Sequence, residues 1–111
     1  MMKVAVIGSR SIKNADISEY IPKDATEIIT GGAVGVDRLA MREARLRGIP
    51  LTVFRPDYEK YGKSAPLIRN KLIADNCDML IAFWDGVSRG TVFTWRYAIK
   101  TGKPVKIYKL I

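Results

Sequence analysis

The chain has 111 residues, 48% of them hydrophobic and 27% charged, with 19 Lys and Arg against 11 Asp and Glu for a formal net charge of +8. That length suits one domain with its own core, and the composition excludes a disordered or low-complexity chain. The single cysteine, Cys77, excludes an internal disulfide, and the absence of histidine removes the His/Cys cluster on which a zinc site is usually built, so no metal is expected.

No apolar run approaches the roughly 18 residues of a membrane helix, and Met1 to Gly8 is too short an apolar start for a signal-peptide core. The expectation is a cytoplasmic protein with no membrane partner. The positive charge favours anionic partners such as nucleotides, nucleic acid or phosphorylated metabolites. The basic residues are nevertheless dispersed along the chain, as on a solvated surface.

In chain order, Lys3 to Ile7 (KVAVI) is a β-branched run closed by Gly8-Ser9-Arg10, the pattern of a buried first strand ending in a tight loop. Asp16 to Ile21 predicts a short helix stopped by Pro22, and Glu27 to Thr30 (EIIT) a second strand closed by Gly31-Gly32. From Gly35 the period changes: Val36, Leu39, Ala40 and Ala44 recur at helical spacing through Arg47, and Gly48 supplies the stop. Leu51 to Phe54 reads as a third strand, followed by a tyrosine-rich polar loop. A helix is expected from about Ala65, capped by Ser64 with Pro66 in its first turn. Asp78 to Phe83 (DMLIAF) is the fourth strand. A last helix, from about Thr91 to Gly102, turns Val92, Trp95, Ala98 and Ile99 to the sheet, and Pro104 to Tyr108 is the fifth strand.

Strands alternating with helices imply right-handed crossovers. The predicted class is α/β, a three-layer Rossmann- or flavodoxin-like fold with a mainly parallel sheet of about five strands and helices on both faces. Such sheets bind ligands beyond the carboxyl ends of their strands, where the glycines after strands one, two and four fall.

Gly31-Gly32-Ala33-Val34-Gly35-Val36-Asp37 joins a strand to a helix, so the backbone can approach a ligand and free N–H groups at the helix start attract an anion. A tight turn alone would use the same glycines. Asp37 is a candidate for a ribose hydroxyl, although a carboxylate in a helix's first turn is favoured by the dipole without any ligand. Gly8, Ser9 and Arg10 offer a hydroxyl and a guanidinium whose planar fork suits phosphate. Asp85, Gly86, Ser88, Gly90 and Thr91 repeat the strand, glycine loop, helix arrangement, with Ser88 and Thr91 equally suited to capping. Gly62-Lys63-Ser64 resembles the end of a P-loop, but Asp57 stands where its first glycine should be, which argues against a Walker-type ATPase. Lys63, Arg69 and Asn70 remain candidate anion contacts. Tyr58 and Tyr61, beside Arg55 and Lys60, offer faces for stacking a base or for packing on their own domain. Phe93, Trp95 and Tyr97 on one helix leave apolar surface for a homo-oligomer unless the subunit buries them.

Taken together, Gly8-Ser9-Arg10, Thr30 to Ala40 (TGGAVGVDRLA), Tyr61-Gly62-Lys63, Ile68-Arg69-Asn70 and Ile81 to Thr91 (IAFWDGVSRGT) resemble the SLOG superfamily. This Rossmann-like group spans the DNA-processing DprA proteins and the LOG nucleotide phosphoribohydrolases, and the likeness is closest to its small YspA-like branch. The resemblance implies a single domain over 1–111 that binds a nucleotide or nucleotide-derived ligand as sensor or carrier, with no tightly bound organic cofactor. The resemblance leaves two alternatives to that reading, in order: hydrolysis of an N-glycosidic or phosphate bond, and DprA-like binding of single-stranded DNA. LOG enzymes carry Gly-Gly-x-Gly-Thr-x-x-Glu; here two residues precede the third glycine, and Leu39 or Ala40 stands where the glutamate belongs. The catalytic candidates are therefore Asp37, Asp85 and Arg69, and whether the chain is an enzyme stays open.

Overall fold

The structure is a computed structural model describing residues 1–110. Five parallel strands, β1 (Lys3–Gly8), β2 (Glu27–Thr30), β3 (Leu51–Val53), β4 (Met79–Trp84) and β5 (Val105–Lys109), form one sheet in the order β3-β2-β1-β4-β5. Val4 stands opposite Ile28 on one side and Met79 on the other, and Gly8 opposite Phe83. Because successive side chains of a strand face opposite ways, β1 splits its apolar run between two cores.

On one face, Val4, Val6, Ile28, Ile81 and Phe83 meet Val36, Ala40 and Ala44 of helix α1 (Val36–Arg47). On the other, Ala5, Ile7, Ile29, Leu80 and Ala82 meet Ile73 and Ala74 of α3 (Ala65–Asp75) and Ala98 of α4 (Arg89–Lys100). The result is three layers of Rossmann-like type. The chain steps from β1 outward to β2 and β3, then returns to β4 and β5. This reversal leaves β1 and β4 adjacent with their connections diverging to opposite faces, which is where an open α/β sheet forms a crevice.

The connection from β1 to β2 contains only a 3-10 turn, Ser18–Tyr20, in place of the expected helix. Asp16 Oδ1 accepts hydrogen bonds from both the Ser18 amide at 3.0 Å and its hydroxyl at 2.6 Å, a local side-chain pairing that competes with helix formation. The segment serves instead as a lid on the α1 face. Ile17 and Ile21 join the core, and Tyr20 sets its ring 5.4 Å from Phe83 and 4.6 Å from Tyr108. Arg47 holds it there: Nη1 donates to Pro22 O at 2.7 Å, Nη2 to Ser18 O and Ile21 O at 3.0 Å each, and Nε pairs with Glu43 at 2.8 Å.

Three other expectations change. The tyrosine-rich loop is helical, as α2 (Tyr58–Tyr61) and a 3-10 turn (Gly62–Ser64), because Asp57 accepts from the Lys60 amide and caps it. Ser64 accordingly follows helical chain and makes no side-chain cap to α3. On α4, Ala98 and the half-buried Trp95 turn inward as expected, but Ile99 is 55% exposed and the fully buried positions include Thr91 and Thr94. Trp95 meets Trp84 edge-on, while Tyr97 donates to Asp75 and lies beneath Lys71. No helix among the described residues is long and apolar enough to cross a membrane.

The start of α1 is pressed against the β1 loop. Gly35 has φ +83°, and a Cβ there would lie 2.5 Å from Ser9 O and 2.6 Å from Arg10 O, both backbone atoms. Gly35→Ala is therefore expected to cost about 2–3 kcal/mol, from left-handed strain plus displacement of the loop, whereas Val34→Ala at the neighbouring exposed position should cost under about 0.5 kcal/mol. Urea denaturation of both variants checks this; equal midpoints would show that the approach is not tight.

Candidate functional site

A cavity of about 460 Å³ opens beyond the carboxyl ends of β1 and β4. Gly8, Arg10 and Ser11 enter it from the β1 loop, Ala33 and Asp37 from the start of α1, Pro66, Arg69 and Asn70 from α3, and Asp85, Ser88, Gly90, Thr91 and Thr94 from the β4 loop and α4. Ten residues singled out in the sequence thus converge from four segments of chain.

Two loops are fixed by hydrogen bonds to Ser9 and Asp85. Ser9 is fully buried: its amide donates to Phe83 O at 3.0 Å, and its hydroxyl accepts from the Asp85 amide at 3.0 Å. Asp85 Oδ1 accepts from the amides of Val87 and Ser88, each at 2.9 Å, and Oδ2 from the Ser11 hydroxyl at 2.7 Å. These donors, led by the Val87 amide, hold its pKa down to about 2. Both carboxylate oxygens are thus engaged in shaping the loop that leads to α4. Ser88 and Thr91 pair through their hydroxyls at 3.0 Å, and Thr94 donates to Gly90 O at 2.8 Å.

The opposite wall is built on Gly31. Arg69 is buried and donates through Nη1 to Gly31 O at 2.8 Å and through Nε to Asn70 Oδ1 at 2.8 Å. Asp37, also buried, accepts from the Ala33 amide at 3.1 Å. A Cβ on Gly31 would come 2.6 Å from Arg69 Nη1 and 2.9 Å from Asp37 Oδ2, so only glycine lets both groups flank this backbone. The two charges attract but form no direct ion pair. Burial pushes the Asp37 carboxyl above its ordinary value, opposed by the Ala33 amide and the Arg69 charge. Burial likewise lowers Arg69, opposed by Asp37. Beside them Thr30 Oγ1 is buried; it is close enough to Asp37 to help lower the carboxyl's pKa, yet falls short of a formed hydrogen bond with any described residue. Arg10, by contrast, is exposed and makes no ion pair among the described residues.

The remaining sequence candidates lie outside the cavity lining. Ser9 braces the loops, Gly35 and Val36 pack at the start of α1, and Gly31 lies under the Asp37 and Arg69 side chains. Gly86 adopts φ +92° beside Lys109, Gly32 faces another cleft, and Lys63 is exposed in the turn before α3. Tyr58 and Tyr61 are surface residues near the rim, the ring of Tyr61 already facing Lys60 Nζ at 5.2 Å. The sequence reading missed Ile7, Ser11, Pro66 and Thr94. The last two were detectable by helical spacing, since each lies three residues from a chosen residue, Arg69 and Thr91, and so on the same helix face. Among the described residues no three His, Cys, Asp or Glu side chains converge as a metal site would need.

The geometry defines a Rossmann-like α/β protein with a polar cavity at its topological switch point. No family model, curated protein or solved structure matches the chain.

Because the folded pKa of Asp37 lies above its unfolded value near 3.8, the folded state takes up this proton first. Acidification from neutral pH towards the unfolded value therefore stabilises the fold at this group, and the gain is lost as pH rises through the folded pKa. Asp37→Asn removes the dependence. Comparing denaturation midpoints of wild type and variant at about pH 7 and about pH 4.5, the difference should move in favour of wild type at the lower pH; parallel curves would mean that the carboxyl is not shifted upward.

Proposed function

We propose that the protein binds a nucleotide or nucleotide-derived ligand in the switch-point cavity, as a sensor or carrier. The observation that carries this reading is that Arg10, which has no ion pair among the described residues, lines the same cavity as Gly90 and Thr91 of the first turn of α4. A helix start leaves N–H groups unsatisfied and carries partial positive charge, and a guanidinium fork binds phosphate bidentately. Across the cavity, Asp37 and Arg69 provide an acceptor and a donor on either side of Gly31, suited to a sugar hydroxyl that donates to one and accepts from the other. The volume falls in the range of small-molecule sites, roughly 300–1,000 Å³.

A second reading, hydrolysis of an N-glycosidic or phosphate bond, is favoured by one observation: Asp37 is a buried cavity carboxylate with a raised pKa, the profile of a general base. Asp85 does not share it, since its carboxylate is strongly acidic and engaged with the loop. Binding ranks first because Arg10 and the helix start hold an anion without moving a proton.

Thermal shift against nucleotides, nucleotide sugars, cyclic dinucleotides and dinucleotide cofactors tests the proposal. A ligand at about 100 times its Kd should add roughly 2.7 kcal/mol and raise Tm by roughly 10 °C. Arg10→Ala should weaken that ligand about tenfold or more, the loss of one charge-assisted contact, with Tm of the free protein nearly unchanged. No shift across the panel, or equal binding by the variant, would overturn the assignment. Release of free base or phosphate from the bound ligand would select hydrolysis.

A further inference from the structure

The second glycine of the Gly31-Gly32 pair belongs to a different cleft. Gly32 has φ +73°, and a Cβ there would lie 2.8 Å from Arg55 Nη1 and 2.8 Å from Val53 Cγ1. The absence of a side chain therefore makes room for the guanidinium of Arg55, which reaches Gly32 O at only 3.4 Å. Arg38, Met41 and Arg45 of α1 complete a cleft of about 290 Å³ that has three arginines and no acidic residue in its lining.

The arginines of α1 are not equivalent. Arg47 is committed to Glu43 and to three carbonyls of the β1–β2 connection. Arg38 and Arg45 form no ion pair among the described residues, and both are exposed. They lie seven residues apart, two turns or about 10 Å along one face of the helix, with Met41 between them. Arg45, in the last turn of α1, is favoured there by the helix dipole. Arg38 is in the first turn, where the dipole disfavours a cation. Three like charges around one cleft, one at the wrong end of its helix and one admitted by a missing Cβ, cost the free protein repulsion that a bound anion would relieve.

We infer that the Arg38, Arg45 and Arg55 cleft is a second anion site, selective for a phosphate oxyanion, separated from the switch-point cavity by the Gly31-Gly32-Ala33 loop. Ala33 faces the cavity and Gly32 the cleft. The oxyanion comes either from a phosphorylated end of the molecule in the cavity or from a separate phosphorylated compound. The inference does not depend on the cavity taking a nucleotide.

Inorganic pyrophosphate, titrated calorimetrically against sodium chloride of matched ionic strength, is the probe. Wild type should bind pyrophosphate well beyond the ionic-strength effect. Arg38→Gln with Arg45→Gln, a change at exposed positions to a good helix former, should weaken binding at least tenfold with Tm within a few degrees of wild type. Arg42→Gln with Arg96→Gln, which removes two exposed arginines outside both the cleft and the cavity, should bind as wild type does. Equal pyrophosphate binding by the Arg38 and Arg45 double variant, an equal loss in the Arg42 and Arg96 control, or reproduction of the signal by chloride would each overturn the site. For any nucleotide found by thermal shift, selective weakening of the phosphorylated form over its nucleoside in the Arg38 and Arg45 double variant identifies one molecule spanning both sites. Simultaneous binding of that nucleotide and pyrophosphate identifies two separate ligands. Failure of every nucleotide to bind would fall on the cavity and leave the pyrophosphate result standing.

Discussion

The cavity exists because α1 can begin against the β1 loop without a side chain in between. With Gly35 directly over the carbonyls of Ser9 and Arg10, the first turn of α1 and the end of β1 become one rigid corner. Ser9 extends this corner to β4 through its buried amide and hydroxyl, which reach Phe83 and Asp85. Arg69 adds α3 by its bond to Gly31 O. Segments distant in sequence are thus joined by buried polar contacts, each of which would be costly to leave unpaired. The functional side chains inherit their positions from this frame: Arg10 leaves it free, while Asp37 and Asp85 are held in it.

Those two carboxylates show how environment separates chemically identical groups. Asp37 lies in the protein's interior, where loss of water outweighs the Ala33 amide and the charge of Arg69. Asp85 stands among amide and hydroxyl donors that stabilise its charged form. The first is adjustable by a ligand that changes its hydration; the second is a fixed negative charge that organises a loop. Around them most of the excess positive charge is uncompensated by salt bridges, and Arg47–Glu43 is the ion pair formed among the described residues. A surface of this kind keeps the molecule receptive to anions.

The elements with strong local signals were legible in the sequence. KVAVI, EIIT and DMLIAF announce the inner strands by β-branched and apolar runs, α1 by its period and Gly48, and the glycine loops follow from the strands. What local pattern could not supply is which way each loop residue turns. Ser9 looks like a ligand hydroxyl in sequence, but its partner lies 76 residues away. Gly31 and Gly32 look interchangeable, yet alternate backbone directions send one towards Arg69 and the other towards Arg55. Arg47 gave no sign of its role, because the carbonyls it holds lie 25 to 29 residues earlier. The helical turn at Tyr58–Tyr61 is hidden by its brevity: a four-residue element has too little periodicity to read, and in sequence its cap, Asp57, stands out only by occupying the place of a P-loop glycine.

The strand order also has a meaning in time. β1 is made first and sits at the centre of the sheet, yet its partner on one side begins only at Met79, 75 residues after the Val4 it pairs with. A ribosome-bound chain can add β2 and β3 to β1 as they emerge, but one flank of β1 stays uncovered until β4 appears, and such long-range parallel pairing is intrinsically slow to form. The loop after β4 and the start of α4 bring Asp85, Ser88, Gly90 and Thr91 to the cavity, so the site is completed only once this late strand has paired. A ligand that recognises it would therefore distinguish finished molecules from nascent ones, pulling the last step of folding forward by mass action.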